Sequence, residues 1–499
     1  MKSFPNGDMF PNLNKYNHIL SIFRNAGVPA VLVGGSVRDA ILGVESKDID
    51  LATPMPVVTS DEDYEDICKG LKEDYPTVTK LMEEAGYAVY PTGVDHGTVT
   101  VMITDEDVSG NVYGVKVEVT TYRIDTCCNG RTAKVVFTED LAQDLARRDF
   151  TINAIAYDGG LIYDYDGGIA DLDDGTIRTV GDAFDRFRED YLRPIRAYRF
   201  ASYLRSTFDD IFMLSNETER CTKCIDLADK IGTHELVSFE RVIDEFNKTF
   251  KRADQRGCTQ FIKDMYKIGV LTKLFPELDL GPKPCHELVQ SPEHHPEGDV
   301  LTHIALAVGH AEGVEGRWIA LLHDIAKPVT AVWDPKGIGN QWYSFYGHDK
   351  VGEKLIKTSV KDRLPLSNDL INKAALCTRY HLYIFLGQKD ENGNPLPPSD
   401  KQVRKVRAAM GEHLPLLRAL GYADHMGRPV HPHVKDYWDR KLDIVKERIL
   451  KAQDLFDKDD GWVQGAELGR ALKAAMTAQQ EDGITDKAAL MEIAYGTRN

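Results

Sequence analysis

Two aspartates one residue apart, Asp48 and Asp50, follow the run Val31-Leu32-Val33-Gly34-Gly35-Ser36-Val37-Arg38-Asp39. Asp48 and Asp50 alternate with Ile49 and Leu51, so in a strand both carboxylates share a face. Two hard oxygen ligands on one face suit Mg²⁺ bridged to a triphosphate. Gly34, Gly35 and Ser36, placed between a strand and a helix, let backbone N–H groups approach phosphate. Arg38 would bind phosphate or support the turn. A double glycine alone is an ordinary turn, and an Asp-x-Asp pair alone is an ordinary cap. In this order and spacing they describe a nucleotidyl-transfer site. There a 3′-hydroxyl attacks an α-phosphorus, pyrophosphate leaves, and two metal ions activate the one and neutralise the other. Glu118, on the strand-like run Val115–Thr121, is a candidate third carboxylate.

A second constellation lies further along. His323-Asp324 sits in the apolar helical pattern Leu321-Leu322-His323-Asp324-Ile325-Ala326-Lys327-Pro328, with His303 before it and His348, His381 and Asp424 after it. Imidazole and carboxylate ligands from several helices suit a divalent transition metal of unspecified identity. The ligands are expected to be His303, His323, Asp324 and Asp424, with His348 and His381 as further metal or phosphate contacts. His18, His234 and His431 read as ordinary histidines.

The elements that must carry these residues follow from the patterning. With 499 residues the chain is long enough for several domains. Strand-like runs cover Ala30–Val33, Asp48–Ala52, Gly97–Ile103, Val115–Thr121 and Ala154–Tyr157, and a short helix covers Tyr16 to Asn25. The pattern is charged and helix-permissive between Asp61 and Gly86, and polar between Ile124 and Asp140. From Ala183 onward it is helical. Pro282, Pro284 and Pro292 mark a boundary, and 387–398 is a Gly/Asn/Pro-rich loop. The net charge of −17 argues against wholesale nucleic-acid binding. However, Arg178, Arg186, Arg188, Arg193, Arg196, Arg199 and Arg205 crowd one region able to hold triphosphate and an RNA end. The eight cysteines include Cys127-Cys128 and a single C-x-x-C, Cys221 and Cys224. They suggest reduced, structural thiols rather than zinc. No secretory signal or membrane-spanning stretch is evident, so a cytoplasmic protein with no membrane partner is expected.

The Gly34–Asp39 stretch with Asp48-Ile49-Asp50 resembles the signature of class II tRNA nucleotidyltransferases and bacterial poly(A) polymerases, within the polymerase-beta-like nucleotidyltransferase superfamily. His96-Gly97-Thr98-Val99-Thr100-Val101 and Glu118-Val119-Thr120-Thr121-Tyr122-Arg123 resemble the next two strands of that head domain. Arg147-Arg148-Asp149-Phe150-Thr151-Ile152-Asn153-Ala154 resembles its nucleotide-binding motif. Glu189-Asp190-Tyr191-Leu192-Arg193 and Arg196-Ala197-Tyr198-Arg199-Phe200 resemble its base-selecting helix, and Ser238–Phe246 and Leu274–Leu278 its neck and body. The similarity runs in order from Val31 to Leu278. The histidine set, with His294-His295-Pro296-Glu297 ahead of it, resembles the HD superfamily of metal-dependent phosphohydrolases.

The resemblance implies an α+β protein. It would have a polymerase-beta-like head with a mixed sheet (28–158), an all-α neck and body (159–283), an all-α HD domain (284–430) and a helical tail (431–499). The stretch from Ile124 to Asp140 would be a mobile loop. Arg148 and Asp149 would contact triphosphate and ribose, with Arg196 and Arg199 among the nucleotide-binding residues. The implied activity is template-independent CCA addition to tRNA 3′ ends from CTP and ATP, with Mg²⁺. Phosphatase or cyclic phosphodiesterase activity would lie in the HD domain. Asp190 and Arg193, three apart, would share a helix face. The carboxylate would accept from the exocyclic amine of C or A, the guanidinium would donate to the adjacent ring nitrogen, and U and G would be rejected. Open alternatives are a poly(A) polymerase, a CC-only or A-only enzyme, and a phosphohydrolase whose head only grips RNA. Against the poly(A) reading, no Arg-Arg-Phe segment followed by His-Val lies between Ala52 and Glu118. The segment 53–86 is longer than the family pattern, and the resemblance after Gly461 is faint.

Overall fold

In the computed structural model, β-branched and aliphatic runs pair into an eight-stranded sheet that carries the first constellation. The structure describes residues 3–5, 10–46, 48–57, 76–93, 97–106, 112–126, 134–204, 212–232, 236–334, 342–384, 400–426, 450–456, 465–482 and 484–497. Expectations that fell on Lys47, His96, Cys127, Cys128, Arg205, His234, His431 and 387–398 lie outside the described residues. Two compact units are present: Met1–Ala253 with Lys267–Val270, and Asp254–Tyr266 with Leu271–Asn499.

In the first unit the sheet strands are β1 (Ser3–Pro5), β2 (Val31–Val33), β3 (Ile49–Thr53), β4 (Ala88–Gly93), β5 (Thr98–Glu106), β6 (Val112–Thr121), β9 (Ile155–Tyr157) and β10 (Leu161–Asp164). Their order is β1-β10-β9-β2-β3-β6-β5-β4. β3 is antiparallel to β2 and parallel to β6, so the sheet is mixed. Ile49, Leu51, Val99, Val101, Val117 and Val119 are buried, and the residues between them face away, as the two-residue period of a strand requires. The head sheet runs past residue 158, because β10 pairs with β9. The polar stretch expected as a mobile loop is flanked by a two-stranded ribbon, β7 (Arg123–Thr126) with β8 (Lys134–Phe137). Its β-branched residues Ile124, Val135 and Val136 suit strands.

Helix α1 (Asn17–Asn25) precedes the sheet, α2 (Gly35–Ile41) follows β2, α3 (Val78–Glu84) precedes β4, and α4 (Leu141–Ala146) follows β8. Beyond β10 come α5 (Gly168–Asp173), α6 (Ala183–Glu189), α7 (Arg193–Tyr203), α8 (Asn216–Cys224) and α9 (Phe239–Arg252). The base-selecting segment is two helices rather than one. Asp190 takes the extended conformation at φ −148°, ψ 109°, ending α6. Pro194 sits in the first turn of α7, where its missing N–H and fixed φ are tolerated.

The second unit includes α10 (Val300–His310), α11 (Gly313–Leu322), α12 (His348–Leu355), α13 (Asn368–Tyr380) and α14 (Leu414–Met426). The regions expected to be all-α each contain one short strand pair: Thr176–Ile177 with Met213–Leu214, and Val332–Asp334 with Trp342–Ser344. The tail helices α15 (Ala466–Thr477) and α16 (Lys487–Gly496) share an apolar cluster with Leu455, Leu468, Ala471 and Leu490. No helix among the described residues is long and apolar enough to cross a membrane.

Buried Asp164 closes the sheet onto α5. Its Oδ1 accepts from the N–H groups of Gly167 and Gly168, both at 2.8 Å, and its Oδ2 from Ile169 at 3.0 Å. Asp164→Ala leaves these helix-start donors unmatched and is expected to lower stability by roughly 1–2 kcal/mol, read as a lower urea midpoint with unchanged slope.

Candidate functional site

The site is built where β2 hands over to α2. Gly34 has φ +68°, and a Cβ there would lie 3.0 Å from Nη1 of Arg148, so the turn needs glycine on both counts. One turn into α2, the Ser36 hydroxyl donates to the Asp48 carbonyl (2.8 Å) and accepts from the Asp50 N–H (3.2 Å). Its side chain therefore fixes the Asp-x-Asp strand, while Ser36 also lines the cleft beside Gly34 and Gly35. Asp50 and Glu118 are register partners across the parallel β3–β6 pair. Burial, then Glu118, then Asp48 push the Asp50 carboxyl up to about 6, against the pull of Arg148. Three carboxylates crowded this way fit a bound divalent cation, which would relieve their repulsion.

Facing them is a cleft of about 790 Å³ in which Gly34, Gly35, Asp48, Asp50, Arg148, Asp149, Asp190 and Arg193 all take part. Arg148 donates to Asp144 at 3.1 Å. Its buried Nε has no hydrogen-bond partner among the described residues. Asp149 accepts from Arg196 at 2.6 and 2.9 Å and from Asn153 at 3.0 Å. Burial raises the Asp149 pKa, but these partners outweigh it and hold the carboxyl well below the usual range. Arg38 is buried, bonded to Asp39 (2.8 Å) and Asn153 (2.6 Å) and stacked over Phe200. It supports the turn. Arg199 is likewise buried, paired to Glu245 and lying 4.0 Å from the Phe200 ring centroid.

Asp190 and Arg193 both reach the cleft but are not bonded to each other through their side chains. Asp190 accepts from the Leu192 N–H (3.0 Å) and from Nη2 of Arg241 (2.7 Å). Arg193 Nη1 donates to Glu189 and to the Arg186 carbonyl, and its Nη2 to the Arg147 carbonyl. The helix break at Asp190 separates the two residues that one helix face was expected to align.

The arginine cluster divides. Arg193, Arg196 and Arg199 line the cleft. Arg178 is spent on Asp171 and the Asp166 carbonyl, Arg186 on Glu189 and the Val180 carbonyl, and Arg188 stacks on Phe184. The remaining positive lining comes from Arg123, Arg147, Arg241, Lys248, Lys251 and Arg252, to which no role was given from sequence. Arg241 lies within the neck-like segment Ser238–Phe246, so only its partner was illegible.

In the second unit all six expected residues come together. His303, His323, Asp324, His348, His381 and Asp424 are all buried. Nε2 of His303 and of His323 lie 3.2 and 3.1 Å from Asp324 Oδ2, and Nε2 of His348 lies 3.2 Å from Oδ1. His303 Nε2 is also 3.1 Å from Asp424, and His381 Nε2 3.5 Å from Asp324. Each opposite ring nitrogen is tied back: His323 to the Ala320 carbonyl, His348 to Phe345, His381 to Thr378, and His303 to Glu297. Such tethers fix which nitrogen faces inward, as metal-binding histidines require. The donor set fits a transition metal. Lys327 and Gln290, 2.6 Å apart, and Glu297 complete the surround. They were not assigned from sequence, though Lys327 stands in the His-Asp motif itself.

Residues 30–178, which hold much of the arginine-lined cleft, match the Poly A polymerase head domain family. Among the proteins similar in sequence are CCA-adding enzymes. The one from Lactobacillus gasseri is 38% identical over 237 residues, 46% of this chain and 48% of its own. The one from Staphylococcus aureus is 34% identical over 266 residues, 53% and 56%. The chain thus spans about half the length of the curated relatives it matches. Among solved structures, the apo form II of a CCA-adding enzyme superposes with a TM-score of 0.62 at 19% identity, covering 100% of both chains. Bacillus stearothermophilus CCA-adding enzyme in complex with CTP gives 0.57 at 23% over 97% of each. Thermotoga maritima CCA-adding enzyme complexed with tRNA-CCA gives 0.55 at 17% over 100%. The chain therefore has the fold of the CCA-adding enzymes.

The raised Asp50 pKa gives a signed prediction. As pH rises the unfolded carboxyl ionises first, near 3.8, and the folded one only near 6, so stability falls across that window and stays reduced above it. Asp50→Asn is expected to raise the unfolding free energy of chelator-treated protein at pH 7, by an upper bound of about 3 kcal/mol, read as a higher Tm. The gain should vanish by pH 4 and shrink when Mg²⁺ is added to both proteins.

Proposed function

We propose that this chain is a cytoplasmic tRNA nucleotidyltransferase that adds CCA to tRNA 3′ ends from CTP and ATP. The observation that carries the reading is the carboxylate trio Asp48, Asp50 and Glu118 on one sheet face, opposite an arginine-lined cleft that also holds Asp190. Mg²⁺ held by these carboxylates would activate the 3′-hydroxyl and neutralise the pyrophosphate leaving group. Gly34 and Gly35 offer backbone donors at the start of α2, and Arg148, with its free Nε, offers a charged one to the triphosphate. Asp149, locked ionised by Arg196, accepts from a ribose hydroxyl. Asp190 accepts from the exocyclic amine shared by cytosine and adenine, and Arg193 borders the same edge. Arg38 and Arg199 act from behind, holding Asn153 and α7.

On tRNA lacking its 3′ end, CTP is expected to add two residues and ATP one more, with a stop there. ATP-only tailing would make the chain a poly(A) polymerase, and C-only or A-only growth would make it one half of a divided activity. Asp48→Ala and Asp50→Ala should each lower kcat by at least about 10³-fold, judged against electrostatic contributions of two or more charged contacts in comparable sites.

We further propose that the second unit is an HD phosphohydrolase acting on phosphate monoesters or cyclic phosphates. His303, His323, Asp324 and Asp424 would hold the metal, with His348 and His381 beside them. A divalent transition metal there would supply hydroxide and polarise the ester. Lys327 places a positive charge at the cluster, 2.7 Å from Asp324. A His323→Ala/Asp324→Ala protein should lose bound metal by elemental analysis and lose phosphohydrolase activity, while CCA addition persists. Retained hydrolysis would refute the assignment.

A further inference from the structure

Asp144, on α4, is a buried carboxylate behind the cleft to which the sequence pattern gave no role. Arg147 and Arg148 follow it at three and four residues, the spacing that brings helix side chains together. Its carboxylate forks between them. Oδ1 accepts from Nε and Nη2 of Arg147 at 3.0 and 2.8 Å, and Oδ2 accepts from Nη2 of Arg148 at 3.1 Å. Oδ1 also accepts from the Arg123 N–H at 3.2 Å, where β7 begins. Burial alone would raise the Asp144 pKa, but Arg148 and Arg147 hold it below the usual carboxylate range. The two arginines are used differently. Arg147 spends two nitrogens on the carboxylate, and its carbonyl accepts from Arg186 and Arg193. Arg148 spends one, and its Nη1 lies over the strand-to-helix turn, 3.0 Å from where a Gly34 Cβ would stand. The Arg148 side chain is 18% exposed and lines the cleft with Gly34, Gly35 and Asp50. Adjacent guanidiniums repel, and a long side chain without an anchor samples many rotamers. One buried carboxylate between the two removes both obstacles.

We infer that Asp144 is a positioning residue for the nucleotide triphosphate, acting by aiming the Arg148 guanidinium across the Gly34–Gly35 turn while itself never meeting the nucleotide. The inference rests on the proposed reading of the cleft as a nucleotide site. A guanidinium held along one edge by a carboxylate presents its remaining donors in a fixed plane, which suits paired phosphate oxygens. Such a contact reads phosphate and not base, so it serves CTP and ATP alike. The same carboxylate holds the first residue of β7, so the start of the β7–β8 ribbon and the phosphate-facing arginine share one anchor.

The test compares the full chain with Asp144→Asn, which keeps the shape but not the charge, with Arg148→Gln, and with the double variant. KM and kcat for CTP and ATP are measured on CCA-lacking tRNA, together with inhibition by inorganic tripolyphosphate, which has no base, and with Tm as a check on folding. Asp144→Asn is expected to raise both KM values and to weaken tripolyphosphate inhibition by about tenfold, the loss of one charge-assisted hydrogen bond. The ratio of CTP to ATP use should stay at its wild-type value. In the Arg148→Gln background the same change should add less than about twofold, because its target is already gone. Fully additive losses would overturn the inference, as would a fall in kcat with unchanged KM, or an effect on one base alone. If Asp144→Asn does not fold, Asp144→Glu carries the test. It keeps the charge and moves the fork by one methylene, so it should raise both KM values, and wild-type KM and inhibition there would overturn the inference. A wild-type chain that neither extends the primer nor is bound by tripolyphosphate would overturn the reading of the cleft itself, an outcome distinct from any difference between variants.

Discussion

Like-charge repulsion among Asp48, Asp50 and Glu118 is the constraint around which the first unit is arranged. Parallel pairing of β3 with β6 makes Asp50 and Glu118 neighbours, and no arrangement of carboxylates that close is stable without compensation. The backbone cannot relax away from it, because Ile49, Leu51, Val117 and Val119 anchor the opposite face in the core. A one-residue slip would bury the carboxylates and expose the aliphatics. Ser36 adds a clamp on the same strand by donating its proton to the Asp48 carbonyl and accepting the Asp50 N–H. The sheet thus holds the cluster in register, with Lys116 compensating Glu118 at 2.6 Å, and the remaining repulsion at Asp50 suits the cluster to a cation.

Behind the cleft the charges are paired in a chain. Arg38 reaches Asn153, Asn153 reaches Asp149, Asp149 holds Arg196, and Arg196 and Arg199 share Glu245 on α9. Glu245 is 1% exposed, and removing one member of a buried pair costs about 3–5 kcal/mol because the partner is stranded. Such a network is less a source of stability than a way to hold side chains in one geometry. Its effect is to tie the head strands to α7 and α9, the helices that present Asp190, Arg193 and Arg241. The acidic whole and the basic cleft are compatible for this reason: positive charge is concentrated where pairing can keep it in place.

Much of this was legible in the chain itself. Strand alternation put Asp48 and Asp50 on one face, Glu118 was a candidate from a neighbouring run, and the double glycine marked the strand-to-helix turn. The histidine set converged as its residue types implied. What was not legible depended on long-range pairing or on single backbone angles. Spacing suggested one helix through Asp190 and Arg193, and only the extended backbone at Asp190 and the proline two residues into α7 break it. Crowding in sequence suggested that seven arginines act together, yet Arg178 and Arg186 turn to local acceptors. The bond of the Ser36 hydroxyl to the Asp48–Asp50 backbone was also illegible, because that strand lies a dozen residues on, beyond the reach of local pattern.

The two constellations have opposite ligand chemistry. On the sheet, carboxylates alone gather at the edge of an open cleft, a hard oxygen set suited to a cation that keeps waters and exchanges with substrate phosphates. In the helical unit, four imidazoles surround Asp324, each with its outer nitrogen tethered, three to backbone carbonyls and His303 to Glu297. That is a closed, borderline-soft set suited to a resident transition metal. Burial follows the same logic. Asp50 stays partly exposed, and burial together with the neighbouring Glu118 and Asp48 raises its pKa. Asp324 is fully buried, and although burial alone would raise its pKa, the surrounding histidines and Lys327 hold it far below the usual range. The open carboxylate set thus suits a cation shared with substrate phosphates, whereas the buried set, with its imidazoles oriented by tethers, suits one that stays resident.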